Sequence, residues 1–506
     1  MVMTQFICNK FAGIREVNPV FSSKTISAKD MQNVELYFTD ENCGVGIRTQ
    51  KGNVNITGNL IPDNETIVNI FESVQSGLHY LFIHTVSSTE GKVYLYNNSQ
   101  LTLKLSGLSI TSVSEGLDYA QGYRNLFIFA NGVDDLHYIE LGATPDCGVI
   151  EAVDSDSRPI KGLGLANYAG RVWTFVDNRL HYCVTSDVTD WATSQADIAT
   201  SAGYIEFGKK ITAIVPYIFS LAVFFEDSSV IITGEYPFAA TEESPGGCAG
   251  YNALTFHGTD LFFYDDSKKG IYTFQQVVLG NRTLGNNIAL NIQNELTNID
   301  RSRINQIKML SVNYNERNEI WFLLPTTDNY STILIYDYVK QEWIKRKSQK
   351  LTAIRIYDNN LYSATKNKVL KEYQGTTFDG EEIQAFYKTS VFNSGSNTTL
   401  KGCWHAPVIS LQAAENNFQV EYQKDMNTFK SYNKKKINAD LKNYFEWNVS
   451  NWNEQYWYAP NAVKSLCRLP KPGNFKTLEI TFKSDGGHEN FSIQSFEFGE
   501  IQAVQT

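Results

Sequence analysis

GRVWTFVDNRLHYCV, which runs from Gly170 to Val184, is one of three similar stretches between Ile160 and Phe274. The other two are SLAVFFEDSSVIITG (Ser220 to Gly234) and DLFFYDDSKKGIYTF (Asp260 to Phe274). Each has a buried-type aromatic and aliphatic run, a short turn rich in Asp, Asn or Ser, and a second run of strand-forming residues, a pattern typical of a β-hairpin. Three such hairpins in succession predict an architecture of repeated small sheets.

Four further stretches follow the same pattern: LHYLFIHTVSSTEGKVYLYN (Leu78 to Asn97), RNLFIFANGVDDLHYIEL (Arg124 to Leu141), NEIWFLLPTTDNYSTILIYDYVKQEW (Asn318 to Trp343) and LTAIRIYDNNLYSATKNKVLKEY (Leu351 to Tyr373). The seven units have central aromatic residues roughly 36 to 59 positions apart, the spacing of four-stranded propeller blades with insertions. These aromatic residues are Tyr80, Phe127, Trp173, Phe224, Phe262, Trp321 and Tyr357.

A single blade cannot bury both of its faces, so blades must pack against one another around an axis. The repeat therefore predicts a β-propeller of six or seven blades. Weaker apolar runs between the hairpins, such as Leu108 to Val113 and Ile211 to Tyr217, supply candidates for the innermost strands. A pair of ordinary β-sandwiches with similar strand spacing is the alternative.

Other segments depart from the hairpin pattern. Phe11 to Phe21 contains Gly and Pro without periodicity and predicts an extended arm. Ser27 to Phe38 predicts a short helical turn that leads into a strand, because Ser27 is a plausible N-cap. PGGCAG (Pro245 to Gly250) predicts only a flexible loop.

The segment Asn286 to Met309 predicts an inserted amphipathic helix. Ile288, Ile292, Leu296 and Ile299 follow one another at helical intervals and give the helix one apolar side. We expect this helix to lie on the flank of the propeller; a partner-binding role is the alternative.

Beyond Gln374 the hairpin spacing ends, and four stretches show long alternation of polar and apolar residues. They are IQAFYKTSVF, FQVEYQKDM, KTLEITFKSD and FSIQSFEFGE. They predict an antiparallel, β-sandwich-like C-terminal domain. The predicted division is 1–65 for an N-terminal arm and first hairpin, 66–375 for the propeller with the helical insertion 286–309, and 376–506 for the C-terminal β domain.

Composition limits the function classes. The chain has 506 residues, 42% of them hydrophobic and 13% aromatic, which favours a mainly β protein with more than one domain. Its formal charge of −10 argues against a surface built to grip nucleic acid phosphates. Seven scattered cysteines without a C-x-x-C pair indicate reduced thiols rather than disulfides or a zinc site. The sequence shows neither a transmembrane run nor a signal peptide, so we expect synthesis in a cytoplasm and no membrane insertion.

Motifs for catalysis are not found in the sequence. The nearest approaches to a sialidase box, SDVTDW (Ser186 to Trp191) and SDGGHENF (Ser484 to Phe491), lack its spacing. The paired turn carboxylates at 134–135, 242–243 and 265–266 suit backbone hydrogen bonding better than acid–base catalysis. Seven histidines show no metal-ligand spacing, and no phosphate-binding glycine loop or nucleophile elbow occurs. We therefore expect no enzyme, no catalytic, cofactor-binding or metal site, and no cofactor.

An aromatic cluster lies in YFEWNVSNWNEQYWY, from Tyr444 to Tyr458. Trp447, Trp452 and Trp457 could stack on sugars, and an interior or subunit-interface role is equally compatible with such a cluster.

In its ordered features the chain resembles the nozzle, or tail tubular, proteins of short-tailed double-stranded DNA bacteriophages, also called packaged-DNA stabilisation proteins. The resemblance rests on an N-terminal arm followed by a Gly-x-x-x-Arg turn (Gly44 to Lys51), and on five stretches. These are GRVWTFVDNRLHYCVTSDVTDW, ITAIVPYIFSLAVFFEDSSVIITG, NYNERNEIWFLLP with STILIYDYVKQEWIKR, IQAFYKTSVF, and KTLEITFKSDGG. They span most of the chain, and none is a catalytic signature.

The resemblance implies a structural protein of the virion tail. Six copies would form a ring below the portal and adaptor and enclose the channel through which double-stranded DNA leaves. Tail fibre, spike or needle proteins would be further partners, and the protein would be made in the host bacterial cytoplasm. The acidic balance fits a channel that repels phosphates. The alternative function is a carbohydrate-binding or glycan-cleaving propeller at the tail tip, with the three tryptophans as its platform.

Overall fold

The structure is a computed structural model that describes residues 4–503, except 23, 40–43, 76, 144–145, 195–196, 242, 279–280, 298, 315–316, 394–395, 404, 413–414, 426–431, 441–463 and 485–490. The first strands are β1 (Thr4–Cys8), β2 (Phe11–Ile14), β3 (Ile26–Gln32), β4 (Val34–Phe38), β5 (Val45–Thr49) and β6 (Asn53–Asn55). The helical turn predicted in Ser27 to Phe38 is wrong, because this stretch forms β3 and β4. The short strand-forming runs on either side of Asn33 prevail over the N-cap signal, and Asn33 itself takes a positive φ of 54°.

The repeated hairpins form strands in sets of four. The strands are β7 (Thr66–Gln75), β8 (Leu78–Val86), β9 (Gly91–Asn97), β10 (Gln100–Leu108), β11 (Glu115–Gln121), β12 (Arg124–Ala130), β13 (Leu136–Ile139), β14 (Cys147–Ile150), β15 (Leu163–Tyr168), β16 (Arg171–Val176), β17 (Arg179–Tyr182), β18 (Gly203–Glu206), β19 (Ala213–Tyr217), β20 (Ser220–Phe224), β21 (Ser228–Thr233), β22 (Ala239–Ala240), β23 (Ser244–Pro245), β24 (Leu254–His257), β25 (Asp260–Asp265), β26 (Gly270–Val278), β27 (Asn281–Leu284), β28 (Lys308–Tyr314), β29 (Arg317–Leu323), β30 (Tyr330–Asp337), β31 (Glu342–Gln349), β32 (Ala353–Tyr357), β33 (Asn360–Thr365) and β34 (Lys368–Glu372).

In the described part of the chain these strands build seven sheets, which we call blades and number in chain order. The blades are β7–β10, β11–β14, β15–β18, β19–β22 with β23 beside β21, β24–β27, β28–β31, and β32–β34 with β6. The first strand of each blade is the innermost, since β7 contacts both β32 and β11. The fold is therefore a β-propeller, as the repeat predicts, and two ordinary sandwiches in its place are excluded.

Six of the seven central aromatic residues lie on the second strand of their blade. The exception is Tyr357, which ends the innermost strand β32, whereas Tyr362 occupies the second strand β33. The sequence pattern therefore marks the first strand of this blade instead of the second, because β32 itself is rich in apolar and aromatic residues.

We call the boundary between two adjacent blades a joint. At every joint a hydrogen bond between the two sides satisfies a backbone N–H or C=O group. The bonds, in order from the joint of blades one and two, are Val74 N to Asp118 Oδ2 (2.6 Å), Leu165 N to Glu115 Oε2 (2.9 Å), Tyr168 OH to Gly234 O (2.8 Å), Ala249 N to Tyr264 O (3.0 Å), Ser311 N to Thr255 Oγ1 (3.0 Å), Leu361 N to Tyr314 OH (3.1 Å) and Asp358 N to Glu72 Oε1 (2.9 Å). The last of these joins blade seven to blade one and closes the ring.

The hydrophobic core of the propeller is a series of layers between adjacent blades. Phe82 of blade one stacks on Phe127 of blade two with ring centroids 4.4 Å apart. Leu126 and Val172 share the next layer, between blades two and three, and both are buried. Each blade thus buries its two faces against its two neighbours, which is the reason that the ring has to close.

A segment that precedes the first blade completes the last one. Strand β6 lies beside β34, and just beyond it Ile56 N donates to Val369 O (2.9 Å) while Val369 N donates to Thr57 Oγ1 (3.1 Å). Tyr96 of blade one donates to Ile56 O (2.8 Å) and fixes the same segment from the other side. Residues 54–57 therefore act as a clasp across the start and end of the ring.

The insertion before blade six is helical but not one helix. A 3-10 turn (Leu290–Ile292) leads into the short helix α1 (Gln293–Thr297), and a second 3-10 segment (Arg301–Gln306) follows. Asp300 starts the second segment by accepting a hydrogen bond from Ser302 N at 3.1 Å. The prediction of a continuous helix over 286–309 is wrong, since this side-chain cap interrupts it and Lys308 already begins β28. Ile292, Leu296 and Ile299 are buried, as their spacing predicts.

The loop PGGCAG has a definite structural role that the sequence did not indicate. Gly247 N donates to the buried Asp265 Oδ2 (3.2 Å), and Cys248 N donates to Phe225 O (2.9 Å). A Cβ on Gly247 would lie 2.0 Å from Glu226 O, so only glycine fits. The prediction of a merely flexible loop is wrong, because this segment joins blades four and five.

The remaining strands are β35 (Thr377–Phe378), β36 (Glu381–Glu382), β37 (Phe386–Thr389), β38 (Lys401–Cys403), β39 (Val408–Gln412), β40 (Glu415–Lys424), β41 (Tyr432–Asp440), β42 (Lys464–Arg468), β43 (Leu478–Lys483) and β44 (Ser492–Ala503). Strand β35 pairs with β36 and with β6. The other strands join β1–β5 in two sheets: a seven-stranded sheet ordered β4-β5-β44-β39-β42, with β1 and β38 on β44, and a six-stranded sheet ordered β2-β3-β37-β43-β40-β41. Phe482 of the second sheet contacts Phe496 of the first, with ring centroids 6.3 Å apart, as in a sandwich. The strand pairing within the two sheets is antiparallel except for β2 with β3, and β35 pairs with β6 in parallel as well.

Contacts divide the chain into two compact units. One comprises Met1–Asn53, Leu334–Ser348 and Tyr373–Thr506, and the other comprises Val54–Ile333 and Gln349–Glu372. In the first unit, the predicted arm is held by strand pairing of β2 and by an ion pair between Arg15 and Glu342. The N-terminal strands thus belong with the C-terminal sheets, an association that no local sequence pattern reveals.

We expect Thr57→Val to destabilise the chain by about 1–3 kcal/mol, because it leaves the buried Val369 N–H without an acceptor at nearly unchanged volume. Urea denaturation monitored by tryptophan fluorescence measures this change. Thr89→Val, at an exposed turn, is the matched control and should have little effect. Equal stability of both variants would contradict the role of the clasp.

We expect Gly247→Ala to cost about 1–3 kcal/mol through overpacking against the Glu226 carbonyl. Gly208→Ala, where an added Cβ meets nothing within 4 Å, should stay within about 0.5 kcal/mol of the parent protein. Thermal unfolding of both variants tests the difference. An unchanged unfolding temperature for Gly247→Ala would show that the loop can move away from the Glu226 carbonyl.

Candidate functional site

The axis of the propeller is bridged at the end where the innermost strands begin. Tyr251, from the loop before blade five, donates from its hydroxyl to Ser114 O of blade two (3.3 Å). Asn69 of blade one donates from Nδ2 to the same carbonyl (2.8 Å), and His84 Nδ1 lies 2.8 Å from Ser114 Oγ. Three blades therefore meet at Ser114, and burial lowers the pKa of His84 to about 3, so this imidazole is neutral.

Lys308, the first residue of β28, lies beside this bridge. Its Nζ donates to Asn69 Oδ1 (2.9 Å) and to Val68 O (3.2 Å). Burial, and then the positive charge of Arg355, lower the pKa of Lys308 to about 7. The amine therefore exchanges its proton near neutral pH, unlike an ordinary surface lysine.

Arg355 lies in the middle of the innermost strand β32. The residue is exposed, and partial desolvation by the surrounding protein lowers the pKa of its guanidinium. The carboxylates of Glu115, Glu72 and Asp118 act on it in the opposite direction. We call these five residues, Lys308, Arg355, Glu115, Glu72 and Asp118, the axial cluster.

Glu115 opens the innermost strand β11 and accepts from Leu165 N (2.9 Å) of blade three. Burial raises the pKa of Glu115 to about 8, and the Leu165 N–H and Arg355 only partly oppose this effect. The side chain is therefore mostly protonated at neutral pH and carries little charge.

Glu72 and Asp118 lie farther along their strands and use their oxygens for the ring itself. Glu72 Oε1 accepts from Asp358 N (2.9 Å) and contacts His79 Nδ1 (2.7 Å). Asp118 Oδ2 accepts from Val74 N (2.6 Å), while burial raises its pKa. In the axial cluster the three carboxyl groups therefore act on the pKa of Arg355, and Arg355 in turn acts on that of Lys308.

The residues that the sequence singled out lie elsewhere. Trp447, Trp452 and Trp457 fall outside the described residues. Asp134 accepts from Ser109 N (2.7 Å) and Asp265 accepts from Lys268 N (3.0 Å), so these turn carboxylates are bound to backbone N–H groups. Glu242 also falls outside the described residues.

The histidines that the structure describes do not converge. His84 contacts Ser114, His257 contacts Ser311 (2.9 Å), and His137 contacts the carbonyl of Asp135 (2.8 Å). Across the described ranges, no group of three or more His, Cys, Asp or Glu side chains is placed to hold a metal ion. In the same ranges no helix has the length and apolar character needed to cross a membrane.

The described cysteines are free thiols, in agreement with the scattered pattern. Burial raises the pKa of Cys8 to about 11 and that of Cys183 and Cys248 to about 12. These buried thiols are therefore poor nucleophiles.

Sequence reasoning missed the axial cluster. Its only local signal is a charged residue inside an otherwise apolar strand, as Arg355 in LTAIRIY and Lys308 in INQIKML. Such residues point to a shared site only when the strands are known to surround one axis.

No protein-family model matches the chain, and no curated protein matches it. Among solved structures, virginiamycin B lyase from Staphylococcus aureus is similar at 12% identity and a TM-score of 0.41, over 67% of this chain and 99% of that one. A streptogramin B lyase matches at 12% identity and a TM-score of 0.40, over 67% and 96%. A catalytically inactive variant of the S. aureus lyase with quinupristin matches with the same values as the first.

These neighbours have the β-propeller fold in common with this chain, and they are enzymes. The prediction that this chain is not an enzyme is therefore contradicted: its fold neighbours are lyases, and missing motifs do not exclude catalysis on a propeller. At 12% identity the likeness extends to the fold alone, so their substrates remain statements about those proteins.

Glu115 should make stability depend on pH. Its pKa is about 8 in the folded chain and ordinary in the unfolded chain, so the folded state keeps a proton that the unfolded state releases between about pH 4.5 and 8. Stability from this group is complete below that range and falls as pH rises through it, with a limiting slope of about 1.4 kcal/mol per pH unit.

Glu115→Gln keeps an acceptor for Leu165 N and removes the titration. We expect the variant to gain stability relative to the parent protein as pH rises from 5 to 8, measured by urea denaturation at each pH. Glu206→Gln, on the exposed edge of blade three, is the control and should run parallel to the parent protein. A pH-independent difference for Glu115→Gln would contradict the assignment.

Proposed function

We propose that this protein is a nozzle component of a short bacteriophage tail, a ring-forming virion protein that encloses the channel for DNA exit. The observation that carries the proposal is the ordered resemblance along most of the chain to nozzle, or tail tubular, proteins. The stretches that carry it form strands of the propeller and of the C-terminal sheets, such as β16 with β17 and β43.

The charge of the chain supports this role. Six copies would carry six times −10, or −60, formally. A channel wall with excess carboxylates repels the phosphates of a passing duplex and keeps DNA from adhering to it. A conduit has to retain DNA by closure and release it without friction, and repulsion serves the second requirement.

A contact across the propeller axis supports a channel between copies of the chain rather than through one propeller. Tyr251 spans the propeller axis to reach Ser114, and a gap bridged by one side chain cannot admit a double helix. In the proposed ring, the DNA path therefore lies between copies of the chain, and partners would be other copies, the adaptor and portal, and fibre, spike or needle proteins.

We expect negative-stain electron microscopy of the purified full chain, at increasing concentration, to show rings with six-fold symmetry and a central hole. Mass photometry of the same samples should give a species of six chains. We also expect no retention of linear duplex DNA at about 10 μM protein in low salt, since the formal charge of −10 disfavours the basic face that non-specific binding requires.

Monomers at every concentration, or tight duplex binding at low salt, would contradict the proposal. Glycan-array binding that is lost in a variant with Trp447, Trp452 and Trp457 replaced by Ala would instead favour a carbohydrate-binding propeller at the tail tip.

A further inference from the structure

A lysine amine and an asparagine amide meet between the innermost strands of blades one and six. Lys308 Nζ donates to Asn69 Oδ1 at 2.9 Å and to Val68 O at 3.2 Å. The innermost strand of blade seven, β32, contacts both β28, which carries the lysine, and β7, which carries the asparagine. The two residues are 239 positions apart in the chain, so only closure of the ring brings the amine to the amide.

A β-bulge presents the asparagine to the lysine. In the pairing of β7 with β8 the register shifts between Ile67 and Asn69, which leaves Val68 as an extra residue on β7. Bulges change the direction of a side chain and are frequent beside functional sites. The bulge also leaves the Val68 carbonyl to accept from Lys308, so the amine is held on two sides of the asparagine backbone and side chain.

Hydrogen bonds hold the amide group of Asn69 in an orientation that suits acyl transfer. Its oxygen Oδ1 accepts from Ile70 N at 3.1 Å as well as from Lys308, so two donors polarise the carbonyl. Its nitrogen Nδ2 donates to Ser114 O at 2.8 Å. Asn69 is buried, and a fixed N–H group at a carbonyl oxygen stabilises the negative charge that develops there when a nucleophile attacks.

The amine of Lys308 has the character of a nucleophile. Burial lowers the pKa of Lys308 to about 7, so a large fraction of this amine is unprotonated near neutral pH and has a free lone pair. Lys388 provides the contrast within the same chain. Its Nζ also donates to an amide oxygen, Gln423 Oε1 at 3.0 Å, but it forms an ion pair with Glu479 at 2.9 Å, in which the amine is an ammonium group.

We propose that Lys308 and Asn69 form an intramolecular isopeptide bond, which joins blade six covalently to blade one. Nζ attacks Cγ of Asn69, and the Ile70 N–H stabilises the negative charge on Oδ1. A proton moves from Nζ to Nδ2, the Cγ–Nδ2 bond breaks, and Nδ2 leaves as ammonia while the new Cγ–Nζ bond remains.

The reaction exchanges one amide bond for another and needs no oxidant, reductant or further reactant. Both residues belong to the propeller of one chain. The bond therefore does not depend on ring assembly or on the proposed role in a tail.

The test is mass spectrometry of the purified full chain before and after incubation at about pH 8, where most of the Lys308 amine is unprotonated. We expect the intact chain to lose the mass of one ammonia. Trypsin does not cleave after a lysine whose amine is acylated, so the digest should contain residues 52–92 joined to residues 304–317 as one species. The free peptide 304–308 should decrease correspondingly.

Lys308→Arg keeps a cation that can donate to Asn69 Oδ1 and Val68 O, but a guanidinium stays protonated and does not attack an amide. This variant should keep the full mass. Lys388→Arg is the matched control and should lose ammonia as the parent chain does. Circular dichroism checks that both variants fold, and the peptide map of the parent chain is decisive without either of them.

A parent chain that keeps its full mass and yields the free peptide 304–308 after incubation would overturn the proposal. Loss of ammonia that persists in Lys308→Arg would do so as well, because succinimide formation at another asparagine releases ammonia without a cross-link.

Discussion

The constraint on which the propeller depends is the unpaired edge of its innermost strands. Each blade pairs its first strand on one side only, so seven rows of backbone groups face the axis and the adjoining blades. Side chains of the neighbouring blade satisfy part of them, as Asp118 does for Val74 N and Glu72 for Asp358 N. Polar residues of the inner strands therefore link neighbouring blades, while the apolar layers between blades bury their faces.

Charge near the axis is a consequence of the same constraint. Carboxylates that reach across a joint must lie deep in the ring, where desolvation raises the pKa of Glu115 and lowers that of Lys308. The structure thus concentrates groups with strongly shifted pKa values on the inner strands of the propeller.

The repeat unit could be predicted from sequence because turn chemistry and aromatic content are local. Trp173 and Phe262 lie on second strands of their blades as expected, and β43 and β44 follow the alternation of their sequences. Tyr357 matches the pattern of a second strand, but it lies on the innermost strand β32, because β32 carries the stronger aromatic pattern. The prediction of one helix over 286–309 is wrong because apolar spacing indicates only which side is buried. It does not indicate that Asp300 caps a new segment.

What could not be predicted was always non-local. Gly247 is required because Glu226 O approaches it, and Lys308 and Asn69, 239 positions apart in the chain, become neighbours only when the ring closes.

The clasp at residues 54–57 has a consequence for synthesis on the ribosome. Val369 is synthesised more than three hundred residues after its partner Thr57. Residues 54–57 therefore lack their partner strand until nearly all blades have emerged from the ribosome. Until then the first blade exposes an apolar face and an open strand edge, the features that promote aggregation of nascent chains. A premature stop anywhere before the final blade would leave these surfaces permanently open, so truncated products should be cleared by proteolysis rather than accumulate as smaller rings.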